Sequence, residues 1–267
     1  MNPETVAFLD SGVGGLPYLA HARGYLDGRR LVYVADREHF PYGERSRAQV
    51  IEATLDVAAR LLRREKPALV VVACNTMSVV ALAELRARFH VPFVGVVPAV
   101  KPAALLSRRR KVGVLATRRT VEGEYLQDLI RQHAAGCDVV CLSAGPLVEF
   151  VEKELASATP AERQAHVQAE VDRFTSEGID ALVLACTHFL HLEEEFRALL
   201  EQRDIQLVDS REGVSRQAAR LLREAGAPGA TARADGPDVL YVTGPRPVAD
   251  SYAWFASRYG LRLGEEL

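Results

Sequence analysis

Short apolar, β-branched runs alternate along this chain with longer stretches of helical spacing. TVAFLD (5–10), LVYVAD (31–36), ALVVVAC (68–74) and PFVGVV (92–97) lack polar alternation and read as strands buried on both faces. Between them, RAQVIEATLDVAARLLRRE (47–65) and MSVVALAELRARF (77–89) carry apolar residues at i, i+3 and i+4, as amphipathic helices do. The rhythm restarts with KVGVLAT (111–117), CDVVCLS (137–143) and ALVLAC (181–186). IQLVDS (205–210) and VLYVTG (239–244) read as later strands, with GVSRQAARLLREAG (213–226) a helix between them. Continuous apolar strands with helical crossovers predict an α/β protein whose parallel sheets are covered on both faces.

The pattern also repeats internally. VAFLDSGVGG and VGVLATRRT are each a strand followed by a hydroxyl-bearing turn, and VVVACNT and LVLACTH are each a strand ending in Ala-Cys. Two copies of one doubly wound unit explain both pairs, one beginning at Thr5 and the other near Lys111. Pro98 and Pro102 interrupt the pattern between them. The expected organisation is two similar parallel-sheet domains related by pseudo-symmetry, 1–97 with 211–267 and 98–210, with the site between them.

Composition narrows the function classes. Hydrophobic content of 48% and charged content of 25% fit an ordinary globular protein, and 267 residues suffice for one large or two medium domains. A net charge of −2 supplies no field for nucleic acid or an anionic membrane, and SRRRK (107–111) reads as a solvated loop. No apolar run approaches the ~20 residues of a membrane span, and the N-terminus lacks a signal-peptide layout. The expected location is the cytoplasm. There, cysteines at 74, 137, 141 and 186 imply free thiols, metal ligands or catalysis rather than disulfides. Cys137 and Cys141 straddle DVV and read as small core residues.

In parallel α/β sheets, ligand sites gather at the carboxyl ends of strands. Asp10-Ser11, Cys74-Asn75-Thr76, Thr117 and Cys186-Thr187-His188 all fall there. A strand-end cysteine is often simple packing, but two in matched positions, each opening onto a helix, weaken that reading. A helix N-terminus lowers a thiol pKa from ~8.5 towards neutrality. Asn75, Thr76 and Thr187 are fit to cap those helices, and His188 is placed to hold or relay a proton. DSGVGG suggests a phosphate loop, with Asp36 where a ribose-binding acid would lie, but Pro17 stands where G-x-G-x-x-G needs glycine. The same turn lets backbone N–H groups approach a carboxylate closely. Pro41-Tyr42-Gly43 reads either as a packed turn or as a substrate-contacting loop. Glu149 and Glu152 read either as surface helix charge or as acids at the mouth of the second copy.

With these residues assembled, the chain resembles the glutamate racemase family. LDSGVGGL (9–16), PYGERS (41–46), ACNT (73–76), GVVPAVKPA (95–103), VGVLAT (112–117), PLVE (146–149) and ACTHF (185–189) match that family's blocks in order. The resemblance implies cofactor-independent, metal-free interconversion of L- and D-glutamate for peptidoglycan, by a homodimeric enzyme. It implies that Cys74 and Cys186 are acid–base residues on opposite faces of the substrate α-carbon, assisted by Asp10 and His188. Ser11, Pro41-Tyr42-Gly43, Asn75-Thr76 and Thr187 would hold the amino and carboxylate groups, with Thr117 also at the site. An acid of the PLVE region belongs to the family's site, and Glu149 is taken over Glu152. Leu190-His191 departs from the family's usual Pro-Leu, and 153–164 looks locally elongated. The alternatives are a related aspartate or hydantoin racemase and, more remotely, a nucleotide-binding regulatory module.

Overall fold

Each apolar run becomes a parallel strand, and reciprocal capping boxes mark the starts of two of the helices between them. The computed structural model describes residues 2–26, 28–226, 236–265 and 267. The chain opens with β1 (Asn2–Asp10), α1 (Leu16–Ala22), β2 (Arg30–Ala35), α2 (Arg47–Glu65), β3 (Pro67–Val72), α3 (Asn75–Arg88) and β4 (Phe93–Gly95). It continues through α4 (Val100–Leu106), β5 (Lys111–Ala116), α5 (Arg118–Val121), α6 (Glu124–His133), β6 (Asp138–Ser143) and α7 (Gly145–Lys153). Next come α8 (Pro160–Thr175), β7 (Ala181–Ala185), α9 (Glu193–Glu201) and β8 (Gln206–Val208). The last elements are α10 (Arg211–Glu224), β9 (Val239–Val242), α11 (Asp250–Arg258) and β10 (Arg262–Leu263).

The chain divides into two compact units, Met1–Val96 with Arg211–Leu267, and Val97–Ser210. The first holds a six-stranded sheet in the order β10-β9-β2-β1-β3-β4. The second holds a four-stranded sheet in the order β6-β5-β7-β8. Every strand pair in both is parallel. Strands β2-β1-β3-β4 and β6-β5-β7-β8 therefore follow one order, so the repeat seen in the sequence is a repeat of topology. In the first unit β9 and β10 extend that order beyond β2.

Local chemistry accounts for the helix boundaries. Ser46 and Gln49 form a reciprocal capping box at the start of α2, which buries Val50, Ala53, Val57, Ala58 and Leu61 along one face. Thr159 and Glu162 do the same for α8, with Pro160 in the first turn, where no N–H is required. Pro102 does not break the chain as the sequence pattern suggested. It lies in the first turn of α4, among the N–H groups that have no intrahelical acceptor in any helix.

Basic residues 108–110 are exposed, as expected of a solvated loop, but a buried acid anchors their backbone. Asp180 accepts hydrogen bonds from Ser107 Oγ at 2.5 Å, Arg108 N–H at 2.7 Å and Arg109 N–H at 2.8 Å. Burial works against the ionised form, but these donors hold the Asp180 carboxyl below the usual range. Asp180→Ala strands all three donors. It should lower stability by about 1–3 kcal/mol, read as a lower urea midpoint at unchanged slope.

Candidate active site

Cys74 lies two residues past β3, at the N-cap of α3, with φ −127° and ψ 123°. The β1–β3 register sets Leu9 opposite Val72, and Ala73 N–H donates to the Leu9 carbonyl at 2.7 Å. Two residues further on, Ser11 is therefore level with Cys74, and the Cys74 thiol meets Ser11 Oγ at 3.7 Å. Asp10 is fully buried beside them. Its Oδ1 accepts from Ser11 N–H at 2.5 Å and Ser11 Oγ at 3.1 Å.

Tyr33, a β2 residue that no sequence motif singles out, holds the glycine turn. Its hydroxyl accepts from Gly15 N–H at 2.8 Å and lies 2.9 Å from the Gly12 carbonyl and 3.3 Å from Asp10 Oδ2. A Cβ on Gly15 would stand 2.5 Å from Ala73 Cβ and 2.8 Å from the Ala73 carbonyl. Glycine here permits the Asp10 turn to seat against the residue preceding Cys74. The phosphate-loop reading loses its footing, because Gly15 N–H is engaged by Tyr33. The ribose-acid reading fails likewise, because both Asp36 oxygens accept from protein donors.

Two single 3₁₀ turns, Arg37–His39 and Tyr42–Glu44, form the loop after β2. Tyr42 is buried there between the partly exposed Pro41 and Gly43 and donates to Asp36 Oδ2 at 2.5 Å. It packs in one apolar cluster with Cys74. Burial, then the charges of Asp36 and Cys74, push the Tyr42 hydroxyl far above its ordinary pKa, so it acts only as a neutral donor. Asn75 and Thr76 begin α3 and are buried. Neither amide atom of Asn75 has a hydrogen-bond partner among the described residues.

The second unit repeats the placement of the thiol but not of its partners. Cys186 directly follows β7 with φ −138° and ψ 131°, close to the conformation of Cys74. Ala116 pairs with Ala185, so Thr117 is level with Cys186 as Ser11 is with Cys74. Thr117 caps α5, and its hydroxyl lies 3.1 Å from that of Thr120. After Cys74 the chain enters an α-helix, with Ser78 N–H donating to the Cys74 carbonyl at 2.9 Å. After Cys186 it winds tighter, into a 3₁₀ helix Thr187–Leu192, with Phe189 N–H donating to the Cys186 carbonyl at 3.2 Å. Thr187 and His188 are buried in that turn.

His188 links the thiol to an acid. Its Nδ1 lies 3.9 Å from Cys186 Sγ, at the outer reach of a sulfur hydrogen bond, and its Nε2 lies 3.0 Å from Glu152 Oε2. Glu152 is 6% exposed. The structure therefore sets Glu152 against His188, and not the Glu149 taken from the sequence. Glu149 projects from the outer side of α7, its side chain 47% exposed and paired with Lys153 at 2.7 Å. Helical phase explains the difference, since Glu152 follows buried Val148 by four residues and Glu149 precedes exposed Lys153 by four. Burial alone would lower the His188 pKa, but its bonds to Cys186 and Glu152 and their charges raise it well above the ordinary value.

These features define a parallel α/β protein with a buried cysteine at the N-cap position beyond the same strand end of each unit. A family profile described as Asp/Glu/Hydantoin racemase matches residues 18–218. The chain belongs to this family. It is 42% identical over 258 residues to a glutamate racemase of Treponema pallidum, covering 96% of this chain and 94% of that one. Identity is also 42% to a glutamate racemase of Pectobacterium carotovorum, over 82% of this chain and 76% of the relative. The structure resembles Escherichia coli glutamate racemase in complex with L-glutamate and the activator UDP-MurNAc-Ala, with a TM-score of 0.86 and 35% identity over 98% and 97% of the two chains. No helix among the described residues is long and apolar enough to cross a membrane.

Two substitutions probe this geometry. Gly15→Ala forces the Asp10 turn off Ala73 and should destabilise the protein by about 1–3 kcal/mol in chemical unfolding. The second concerns pH. His188 has a raised folded-state pKa, so its pairing contributes stability that is whole below ~6.5 and is lost as pH rises through the folded value. Glu152→Gln removes much of that contribution. The stability gap between wild type and Glu152→Gln, measured by urea unfolding, should be largest near about pH 6 and narrow as pH rises through the raised His188 value.

Proposed function

We propose that this chain interconverts L- and D-glutamate without a cofactor, using Cys74 and Cys186 as paired acid and base. The observation that carries the reading is the matched placement of the two thiols, each a buried N-cap at the end of the third strand in an identical strand order. Racemisation removes the α-proton from one face of the carbon and returns a proton to the other. A single base would mostly restore the original configuration, so the chemistry calls for two. One cysteine enters as thiolate and accepts the α-proton, and the C–H electron pair passes into the substrate carboxylate. The other enters as thiol and gives its proton to the opposite face. The pair then stands exchanged, ready for the reverse turnover.

Each thiol has its own supporting groups. Ser11 lies against Cys74, and Asp10, held by Ser11 and Tyr33, supplies the acid on that side. His188, which bridges Cys186 and Glu152, serves Cys186. A buried polar group is nearly always paired, so the unpartnered amide of Asn75 supports a role in binding a polar substrate group. Thr76, Thr117, Thr187 and the Pro41-Tyr42-Gly43 loop complete the binding set on this reading. An α-proton beside an ionised carboxylate is very weakly acidic. Preorganised donors around the developing charge must supply much of the barrier reduction, with general base placement adding about 10²–10⁴-fold. The product D-glutamate would feed peptidoglycan assembly, and the enzyme would work in the cytoplasm as a homodimer.

Incubation in deuterated water followed by NMR tests the scheme. Wild type should exchange the α-hydrogen of both enantiomers of glutamate and leave aspartate untouched. Cys74→Ala and Cys186→Ala should each lose racemisation by about 10²-fold or more while unfolding at the wild-type temperature. Near-wild-type racemisation by either variant, or faster exchange of aspartate than of glutamate, would overturn the assignment.

A further inference from the structure

Asp36 follows β2, is fully buried, and belongs to none of the groups assigned above. Its carboxylate gathers three donors. Tyr42 OH at 2.5 Å and His39 Nδ1 at 2.9 Å meet Oδ2, and Thr243 Oγ1 at 2.6 Å meets Oδ1. Thr243 directly follows β9, and its own N–H donates to the Ala35 carbonyl at 3.1 Å. Its hydroxyl accepts from Glu38 N–H at 3.1 Å, and its carbonyl accepts from Arg37 Nε at 3.2 Å. Arg37 also donates to the Pro245 carbonyl. The loop from 37 to 42 is thus fastened through Arg37 and Glu38 to the end of β9 and through His39 and Tyr42 to Asp36, which Thr243 holds in turn.

A metal reading does not survive this arrangement. Asp36, Glu38 and His39 lie within ligand reach of one another, but both Asp36 oxygens are engaged and His39 Nδ1 already faces Asp36. What the network does is hold Tyr42. With its hydroxyl fixed and its ring packed in the cluster that contains Cys74, Tyr42 in turn sets where Pro41 and Gly43 stand.

We propose that Asp36, together with Thr243, is a positioning residue that fixes the Pro41-Tyr42-Gly43 loop in the conformation that receives the substrate, so that substrate binding depends on the C-terminal strand β9. The inference rests on the racemase reading for the substrate, and on the hydrogen bonds alone for the loop. A loop whose shape is already determined gives up little freedom when a ligand arrives, so loosening it weakens binding before it slows chemistry. Asp36→Asn keeps the volume but turns an amide N–H₂ towards a hydroxyl donor. Thr243→Val keeps the shape and removes the link to Oδ1.

Steady-state racemisation of glutamate by the full chain reads the effect. Each substitution should raise KM about tenfold while kcat stays within about threefold. The double variant should fall short of the product of the two effects, because both act through one network. Amide hydrogen exchange, which needs no substrate, should accelerate across residues 37–45 in both variants. An unchanged KM beside a lowered unfolding temperature marks Asp36 as merely structural and overturns the proposal. So does a fall in kcat at constant KM, or unaltered exchange in the loop. Thr243→Val decides the matter alone if Asp36→Asn does not fold. If wild type fails to racemise glutamate, the racemase reading falls, while loop exchange still judges the positioning claim.

Discussion

Parallel strand register is the constraint on which the site depends. In each unit the third strand runs beside the first, and the ladder brings a hydroxyl-bearing residue level with a cysteine, Ser11 with Cys74 and Thr117 with Cys186. A slip of one residue would turn every side chain to the other face of the sheet. The apolar cores of these strands oppose that slip, because their side chains are packed on both faces of the sheet. The helices that begin at the cysteines extend the constraint, since an N-cap residue has extended backbone geometry and one fixed direction for its side chain. Chemistry at the strand ends is thus a product of core packing several residues below.

Within that shared frame the two units bring a carboxylate near the thiol by different routes. Asp10 stands on the strand itself, immediately before Ser11. The equivalent place before Thr117 is Ala116, which leaves no acid at that position. The second unit instead brings Glu152 from α7 and relays it through His188. The tight 3₁₀ turn after Cys186 suits this relay, because it keeps His188 close enough for its ring to turn back towards the sulfur. The first unit needs no relay and continues into a regular helix. One topology therefore carries two different surroundings for a buried thiol, one with a carboxylate adjacent in sequence and one with a carboxylate reached through an imidazole.

The strands, most helices and the doubled thiol were legible in the sequence because they depend on local pattern. Ala-Cys after an apolar run survives in both copies, and capping residues such as Ser46 announce themselves. What escaped was set by phase and by distance. Glu149 and Glu152 are both acids of one helix, and only their relation to Val148 and Lys153 shows which faces inward. Tyr33 reads as an ordinary strand aromatic, since its value lies in a hydroxyl that meets Gly12 and Gly15 some twenty residues earlier. Asp36 drew notice for a ribose it does not hold. Its real partner Thr243 lies 207 residues away, a separation that no local pattern encodes.

The remaining cysteines have a practical consequence. Cys137 and Cys141 flank and occupy β6, only half-covered by the core of the second unit, whereas Cys74 and Cys186 are nearly sealed. Burial also pushes the Cys141 thiol up and slows it as a nucleophile. Peroxide or an electrophilic dye added to the folded protein therefore meets Cys137 with the least obstruction. Sulfur stoichiometry alone would misjudge which atoms were modified, and peptide mapping of the adducts is the means of telling a half-covered thiol from the two buried ones.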